Sequence, residues 1–319
     1  MKKNPLVTYI IPSYNHALYI EQAIESVLKQ TYEPIELIII DDGSKDNTKE
    51  VLMKYSNHQN IQIIFNEINL RQSATVNKAL KLAKGEFIGL LPSDDWLLPN
   101  KVQLQIEKFS QVHKNVGVVY GKGARFFENN DGSSELVETA YHMYKGKITE
   151  PLISNGNFIY PITPLFRRNC FQKYPFDESY TAEGEAIYLK LSLSFDFDYV
   201  DEVVGVMRDH IGNTGKITDL MYEENLRYLT EFFERDDLPQ NIKLLRKPRI
   251  AMLKKIKAME MMINKREYRK GRKLAIQAIR LQPKYIANFK FMTSTLMTFL
   301  PDVLTDTLLE NFYKKKRSY

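Results

Sequence analysis

Three apolar, β-branched runs, Val7-Thr8-Tyr9-Ile10-Ile11, Ile35-Glu36-Leu37-Ile38-Ile39-Ile40 and Phe87-Ile88-Gly89-Leu90-Leu91, each break off at a polar turn within the first third of the chain. The turns are Pro12-Ser13-Tyr14-Asn15, Asp41-Asp42-Gly43-Ser44 and Ser93-Asp94-Asp95. Between the runs lie stripes of helical period: Ile20, Ala23, Ile24, Val27 and Leu28, then Val51, Leu52 and Tyr55, then Val76, Ala79, Leu80 and Ala83. Gly85 closes the last of these in the place of a left-handed cap. Ile61–Phe65 reads as a further strand, the residues from Pro99 as a helix and Val116–Tyr120 as a strand. The alternation predicts an α/β fold with a Rossmann-like, mostly parallel sheet and helices on both faces. All three polar turns then fall on the carboxyl edge, where open α/β sheets bind ligands.

Ser93-Asp94-Asp95 narrows the chemistry. Adjacent carboxylates repel and call for a cation beside them. Oxygen ligands suit Mg²⁺ or Mn²⁺, ions able to bridge a diphosphate. The plainer reading is a turn that caps the helix beginning near Pro99. One cysteine among 319 residues excludes an intrachain disulfide and fits a reducing, cytosolic setting. No apolar stretch reaches the 18 or more residues of a membrane span, and the N-terminal apolar segment is too short for a signal peptide. Charge is unevenly spread: residues 241–319 hold 20 Lys and Arg against 5 Asp and Glu, in a chain of net charge +6. Such a basic region suits an anionic surface, or is simply a solvated helical face.

Residues 121–215 are less regular, with a hairpin or loop tip expected at Asn129–Ser134 and irregular chain around Asn155-Gly156-Asn157, Pro161 and Pro164. From about 218 the pattern is helical, with Met252, Ile256, Met259 and Ile263 on one face. Gly271, Ala278 and Pro283 are spaced like the second helix of a tetratricopeptide repeat, in one copy only, which makes a helical packing unit and not an array. The expected division is 1–217, comprising a ligand-binding half (1–120) and a less regular half (121–217), and a basic α-helical region over 218–319.

Taken in order, Ile10-Ile11-Pro12-Ser13-Tyr14-Asn15, Gln30-Thr31-Tyr32, Glu36–Ser44, Ala83-Lys84-Gly85-Glu86-Phe87-Ile88 and Ser93-Asp94-Asp95 resemble the family 2 glycosyltransferases of the GT-A fold. The resemblance is dense to about residue 120 and scattered through residue 215. It implies inverting transfer of a sugar from a nucleotide diphosphate to an acceptor hydroxyl. By the same resemblance, Pro12 and Tyr14 line the nucleotide, and Asp42 accepts the hydrogen bond of the base imide, which points to a UDP-sugar. Arg71 contacts the donor diphosphate; Asp94 touches ribose or metal; Asp95 is a metal ligand. His210, in Arg208-Asp209-His210-Ile211-Gly212-Asn213-Thr214, is a further metal or diphosphate contact. Pro92 stands where many relatives have a third acidic residue. The base is a departure. Relatives supply it as the Asp of a Glu-Asp pair before a helix like Ile187-Tyr188-Leu189-Lys190-Leu191, and that place is Gly184. Glu183 and Glu185 flank it, with Glu185 the first candidate.

The implied acceptor is a glycan or lipid-linked oligosaccharide of bacterial surface-polysaccharide synthesis. The implied location is cytoplasmic, peripheral on the inner membrane face through the basic C-terminal helices, where Phe289, Phe291, Met292, Leu296, Met297, Phe299 and Leu300 either meet lipid or form packing core. The alternative is a non-catalytic nucleotide-sugar binding relative that lost its base at Gly184. A pyrophosphorylase ranks last because Pro12–His16 lacks a Gly-rich phosphate loop, and no motif supports nucleic-acid binding.

Overall fold

The computed structural model describes residues 4–128, 134–138, 142–210, 212–213 and 218–314, with the backbone alone at 128, 185 and 314. The expected loop tip at Asn129–Ser134 lies outside the described residues except for Ser134. The chain forms two compact units, Met1–Lys216 and Ile217–Tyr319.

The first unit opens with β1 (Val7–Ser13), α1 (Ile20–Leu28), β2 (Ile35–Asp41), α2 (Thr48–Met53), β3 (Ile61–Phe65), α3 (Gln72–Leu80) and β4 (Phe87–Leu90). It continues through β5 (Trp96–Leu97), α4 (Lys101–Gln111), β6 (Val116–Glu128), β7 (Ser134–Glu138), α5 (Thr149–Asn155), β8 (Leu165–Arg167), α6 (Asn169–Lys173), α7 (Gly184–Ser192) and β9 (Asp196–Asp209). The sheet order is β3-β2-β1-β4-β8-β6-β9-β5, with β7 on the flank of β6. The first four strands are parallel neighbours, as the alternation requires. Beyond β4 the sheet turns mixed: β8 runs antiparallel to β4 and β6, while β9 runs parallel to β6. The region read as irregular thus supplies a large part of the sheet.

Strands buried on both faces need continuous apolar runs. Val7, Tyr9, Ile11, Leu37 and Ile39 face α1 and α2, packing against Ile20, Ala23, Ile24, Val27 and Leu52 in one core. Ile10, Ile38 and Ile40 are buried on the other side. There α3 covers β1 and β2, as a right-handed crossover between β3 and β4 demands. Gly85 is not a left-handed cap: α3 ends at Leu80. What requires glycine at 85 is close approach, since a Cβ there would lie 2.5 Å from the Thr8 backbone nitrogen.

The second unit is helical: α8 (Thr218–Phe233), α9 (Gln240–Lys243), α10 (Arg246–Ile263), α11 (Tyr268–Leu281), α12 (Phe289–Met297) and α13 (Asp302–Lys314). Its core joins Ala258 and Met262 of α10 to Ala275 and Ala278 of α11 and Phe291 of α12. The expected inner face of α10 is corrected, since Ile256 is exposed and Ala251, Lys257, Ala258 and Met262 point inward. Small residues set this choice. Gly271 brings the two helices so close that a Cβ would sit 2.5 Å from Met262 Cγ. Lys257 is tolerated inside because it pairs with Asp219 at 2.7 Å and Glu260 at 2.9 Å. Among the described residues no helix is long and apolar enough to cross a membrane.

Candidate functional site

Parallel β1, β2 and β4 end side by side, which brings the three polar turns to one edge. The first two turns are tied together. Asn15, in the left-handed region at φ 54°, donates its N–H to Ser44 Oγ at 2.8 Å and accepts from the Lys45 N–H at 2.7 Å. Asp41 accepts from the Ser44 N–H at 3.1 Å, and Gly43 turns at φ 75° with no room for a side chain against Ile68. Asp42 is buried, and its Oδ1 accepts from Asn66 Nδ2 at 2.8 Å and the Leu70 N–H at 2.9 Å. Lys78 Nζ donates to Asn66 Oδ1 at 2.6 Å, which fixes the Asn66 amide with its nitrogen toward Asp42. Among the described residues Asp42 Oδ2 receives no hydrogen bond. Pro12 is half-buried and Tyr14 exposed beside this turn. Arg71 immediately precedes α3 with an exposed side chain and φ 70°, ψ 163°. A non-glycine residue in that region costs roughly 1–3 kcal/mol.

At the third turn the two carboxylates part company. Asp95 is buried, its Oδ1 accepting from the Arg208 N–H at 2.9 Å. Burial, and then the neighbouring Asp94, hold its carboxyl well above the usual carboxylate range. Asp94 instead faces His210 and Asn213: its Oδ2 lies 3.0 Å from His210 Nε2 and 3.1 Å from Asn213 Nδ2. Gly212 N lies 3.2 Å from His210 Nδ1, and Nε2, the nitrogen left to a metal when the ring proton sits on Nδ1, faces Asp94 Oδ2. His16 closes the group, with Nδ1 2.7 Å from Ser93 Oγ. One ligand-capable atom from each of His16, Asp94 and His210 lies within 4.8 Å of the other two. Burial pushes the His16 imidazole below its ordinary value, toward the neutral form that metals bind. Two imidazoles and a carboxylate, beside a second buried carboxylate, fit a divalent cation. Asp95, expected as a metal ligand, lies outside this three-atom group, and Asp94, expected to touch ribose or metal, lies within it. Asp94 is the carboxylate that meets the histidine, and Asp95 anchors the start of the segment that carries it.

That segment is the end of β9, pinned from outside by Arg208. Its guanidinium carbon lies 5.1 Å from the ring centres of Tyr19 and Trp96 and 5.3 Å from that of Phe126, and Nη2 meets Gln22 Oε1. Tyr19 also packs on His210, with ring centres 4.8 Å apart. Ile211 and Thr214 of the same motif lie outside the described residues.

Around the expected base, Glu183 is buried, accepts from the Asp177 N–H at 2.7 Å and ion-pairs with Lys190. Burial raises its carboxyl in spite of that lysine. Gly184 opens α7 at φ 38° with open space around it. Glu185 follows in the first turn of α7, and its side chain lies outside what the structure describes. Asn77 of α3 holds the approach to this turn, donating to Phe176 O at 2.8 Å and Glu178 Oε1 at 3.0 Å.

Sequence reasoning missed His16, Asn66 and Lys78 as site residues. His16 carries no spacing signal of its own, and it meets Asp94 only because β1 and β4 end side by side.

The Escherichia coli chondroitin synthase is 29% identical over 245 residues, 74% of this chain, and the chain spans 34% of its length. An E. coli UDP-Glc:α-D-GlcNAc-diphosphoundecaprenol β-1,3-glucosyltransferase is 40% identical over 116 residues, 36% of this chain and 45% of that protein. Among solved structures, Staphylococcus aureus TarS 1–349 in complex with UDP-GlcNAc superposes with a TM-score of 0.64 at 19% identity, covering 97% of this chain and 91% of that one. The likeness places the fold with the GT-A enzymes, helical C-terminal extension included. The family model for "Glycosyl transferase family 2" matches residues 8–174, which takes in all three strand-end turns, and the chain belongs to that family.

Proposed function

We propose that this chain is a metal-dependent, inverting glycosyltransferase that moves a sugar from a UDP-sugar to a hydroxyl of a glycan or lipid-linked acceptor in bacterial surface-polysaccharide synthesis. The observation that carries the reading is the meeting of the Asp42 turn with Asp94 and His210 on one sheet edge. Asp42 keeps Oδ2 for the uracil N3–H; cytosine offers no donor at that position. Pro12 and Tyr14 flank the base, and Arg71, exposed and strained, meets the diphosphate. Asp94 and His210 hold Mn²⁺ or Mg²⁺, which offsets charge on the departing diphosphate. Glu185 takes the acceptor proton, supported by the ion pair that already occupies Glu183. UDP-sugars are the donor class named for the E. coli glucosyltransferase and bound in the TarS complex. We also assign the second unit to an anionic membrane surface at the cytoplasmic face. Phe289, Leu296, Phe299, Leu300, Val303 and Leu304, along α12, α13 and the turn between them, are 42–77% exposed, and the unit is rich in Lys and Arg.

Calorimetric titration with UDP, GDP, CDP and dTDP, each with Mn²⁺ and with EDTA, tests the reading. Selective, metal-dependent UDP binding is expected. Asp94→Asn should abolish the metal dependence, while Asp95→Asn, which keeps an acceptor for Arg208, should hold it within about tenfold. Metal dependence surviving Asp94→Asn would sink the site. If Glu185→Gln turns over a UDP-sugar as fast as the parent, that residue is not the base; if neither turns over, the binding-only alternative gains.

A further inference from the structure

We propose that His16 is a third protein ligand of the divalent ion, so that the site takes a nitrogen-accepting transition ion such as Mn²⁺ or Co²⁺ in preference to Mg²⁺. This rests on the metal role of Asp94 and His210 proposed above. A carboxylate with one imidazole would leave the two ion classes close competitors, because diphosphate and water supply the remaining oxygens. A second imidazole changes the balance. Mg²⁺ is bound through oxygen and gives up its water reluctantly, whereas first-row transition ions accept imidazole readily.

The geometry supports a ligand role in three ways. The donors are already gathered: an ion about 2.1 Å from each ligand holds neighbouring donors about 3 Å apart and opposite ones about 4.2 Å apart. The His210–Asp94 separation of 3.0 Å is already of that size, and the three-atom group spans at most 4.8 Å. Small side-chain rotations therefore complete the shell. His16 is also held in place. Its backbone N–H donates to Thr48 Oγ1 at 3.1 Å, and its carbonyl accepts from the Tyr19 and Ile20 N–H groups, each at 3.0 Å. Its ring is turned by Ser93 Oγ, from the residue next to Asp94. Finally, three protein donors leave half of a six-coordinate shell for diphosphate oxygens and water, which a donor-binding site needs.

The test is pulsed EPR of the full chain with Mn²⁺ and UDP, which counts directly coordinated nitrogens through their hyperfine modulation. Competition between Mn²⁺ and Mg²⁺ for the same complex supplies a second readout. Two coupled nitrogens are expected in the parent and one in His16→Gln, with Mn²⁺ affinity falling about 10–100-fold. Mg²⁺ affinity should change far less, so the preference for Mn²⁺ narrows. Ser93→Ala, which frees the ring without removing it, should keep both nitrogens at weaker affinity. A single nitrogen in the parent overturns the proposal, and that spectrum needs no variant to fold. In that event loss of Mn²⁺ binding in Asp94→Asn would leave the underlying site standing, whereas Mn²⁺ binding unaffected by Asp94→Asn would remove both.

Discussion

Lys101 in α4 offers a quantitative check on the core of the first unit. Its side chain is fully buried, with Nζ donating to Gln105 Oε1 at 2.6 Å and Thr163 O at 3.0 Å, and no carboxylate among these partners. Burial pushes its ammonium down from 10.5 to about 7. In the unfolded chain the amine stays protonated to about pH 10.5, whereas the folded chain releases the proton near pH 7. Between those values the unfolded state binds more protons, so stability rises with pH. The cost of this one group approaches about 5 kcal/mol well below pH 7, and about 2 kcal/mol of it is relieved between pH 7 and pH 9. Lys101→Met keeps the volume and removes the charge. Thr163 O keeps its bond from Gln105 Nε2 at 2.7 Å, and only Gln105 Oε1 loses a donor, at about 1 kcal/mol. The variant should therefore be more stable than the parent by about 2–3 kcal/mol at pH 7, with the gap shrinking by about 2 kcal/mol at pH 9. Urea unfolding followed by Trp96, the one tryptophan of the chain, reports this unit. Parallel stability curves for the two proteins from pH 6 to pH 9 would refute the reasoning.

Two further outcomes follow from contacts described above. Lys78→Met removes the donor that fixes the Asn66 amide and lets its oxygen rotate against the Asp42 carboxylate. UDP affinity should fall about 5–10-fold while CDP affinity barely moves, and an unchanged UDP to CDP ratio by calorimetry counts against the orienting role. Gly85→Ala forces a Cβ against the Thr8 backbone and should destabilise the first unit by about 1–3 kcal/mol in the Trp96 assay; a loss below about 0.5 kcal/mol means the strands shift more easily than packing allows.

Much of this molecule was legible before its structure. The runs around Ile10, Ile38 and Ile88 are local signals, since a strand buried on both faces must be apolar throughout. Their ends therefore located Asp42 and the Asp94-Asp95 pair. Which carboxylate of that pair faces outward was not legible, because it depends on β9 arriving more than a hundred positions later to offer the Arg208 N–H to one and His210 to the other. The same distance hid β9 itself: Asp196–Asp209 alternates with charged residues, and its pairing with β6 is settled by tertiary contacts. On α10 an apolar stripe at Met252 and Ile256 was the wrong guide. Gly271 on the opposing helix draws α10 in close at Ala258 and Met262, and those residues form the contact. His16 escaped because a lone histidine beside an Asn turn carries no spacing pattern, and only the fold puts it next to residue 94.

The hydrogen bond from Arg208 to Asp95 joins positions 113 residues apart. The turn that holds Asp42 draws on residues no later than Lys78, whereas Asp94 meets His210 only 116 positions further on. On the roles proposed for Asp94 and His210, metal and donor at free concentration [L] add RT ln(1 + [L]/Kd) to the stability of β9 docking. Donor occupancy therefore acts as a latch on the last strand to be made. Protection of the β9 amides against hydrogen exchange should deepen with donor and metal, while β1 and β2, complete without them, change least.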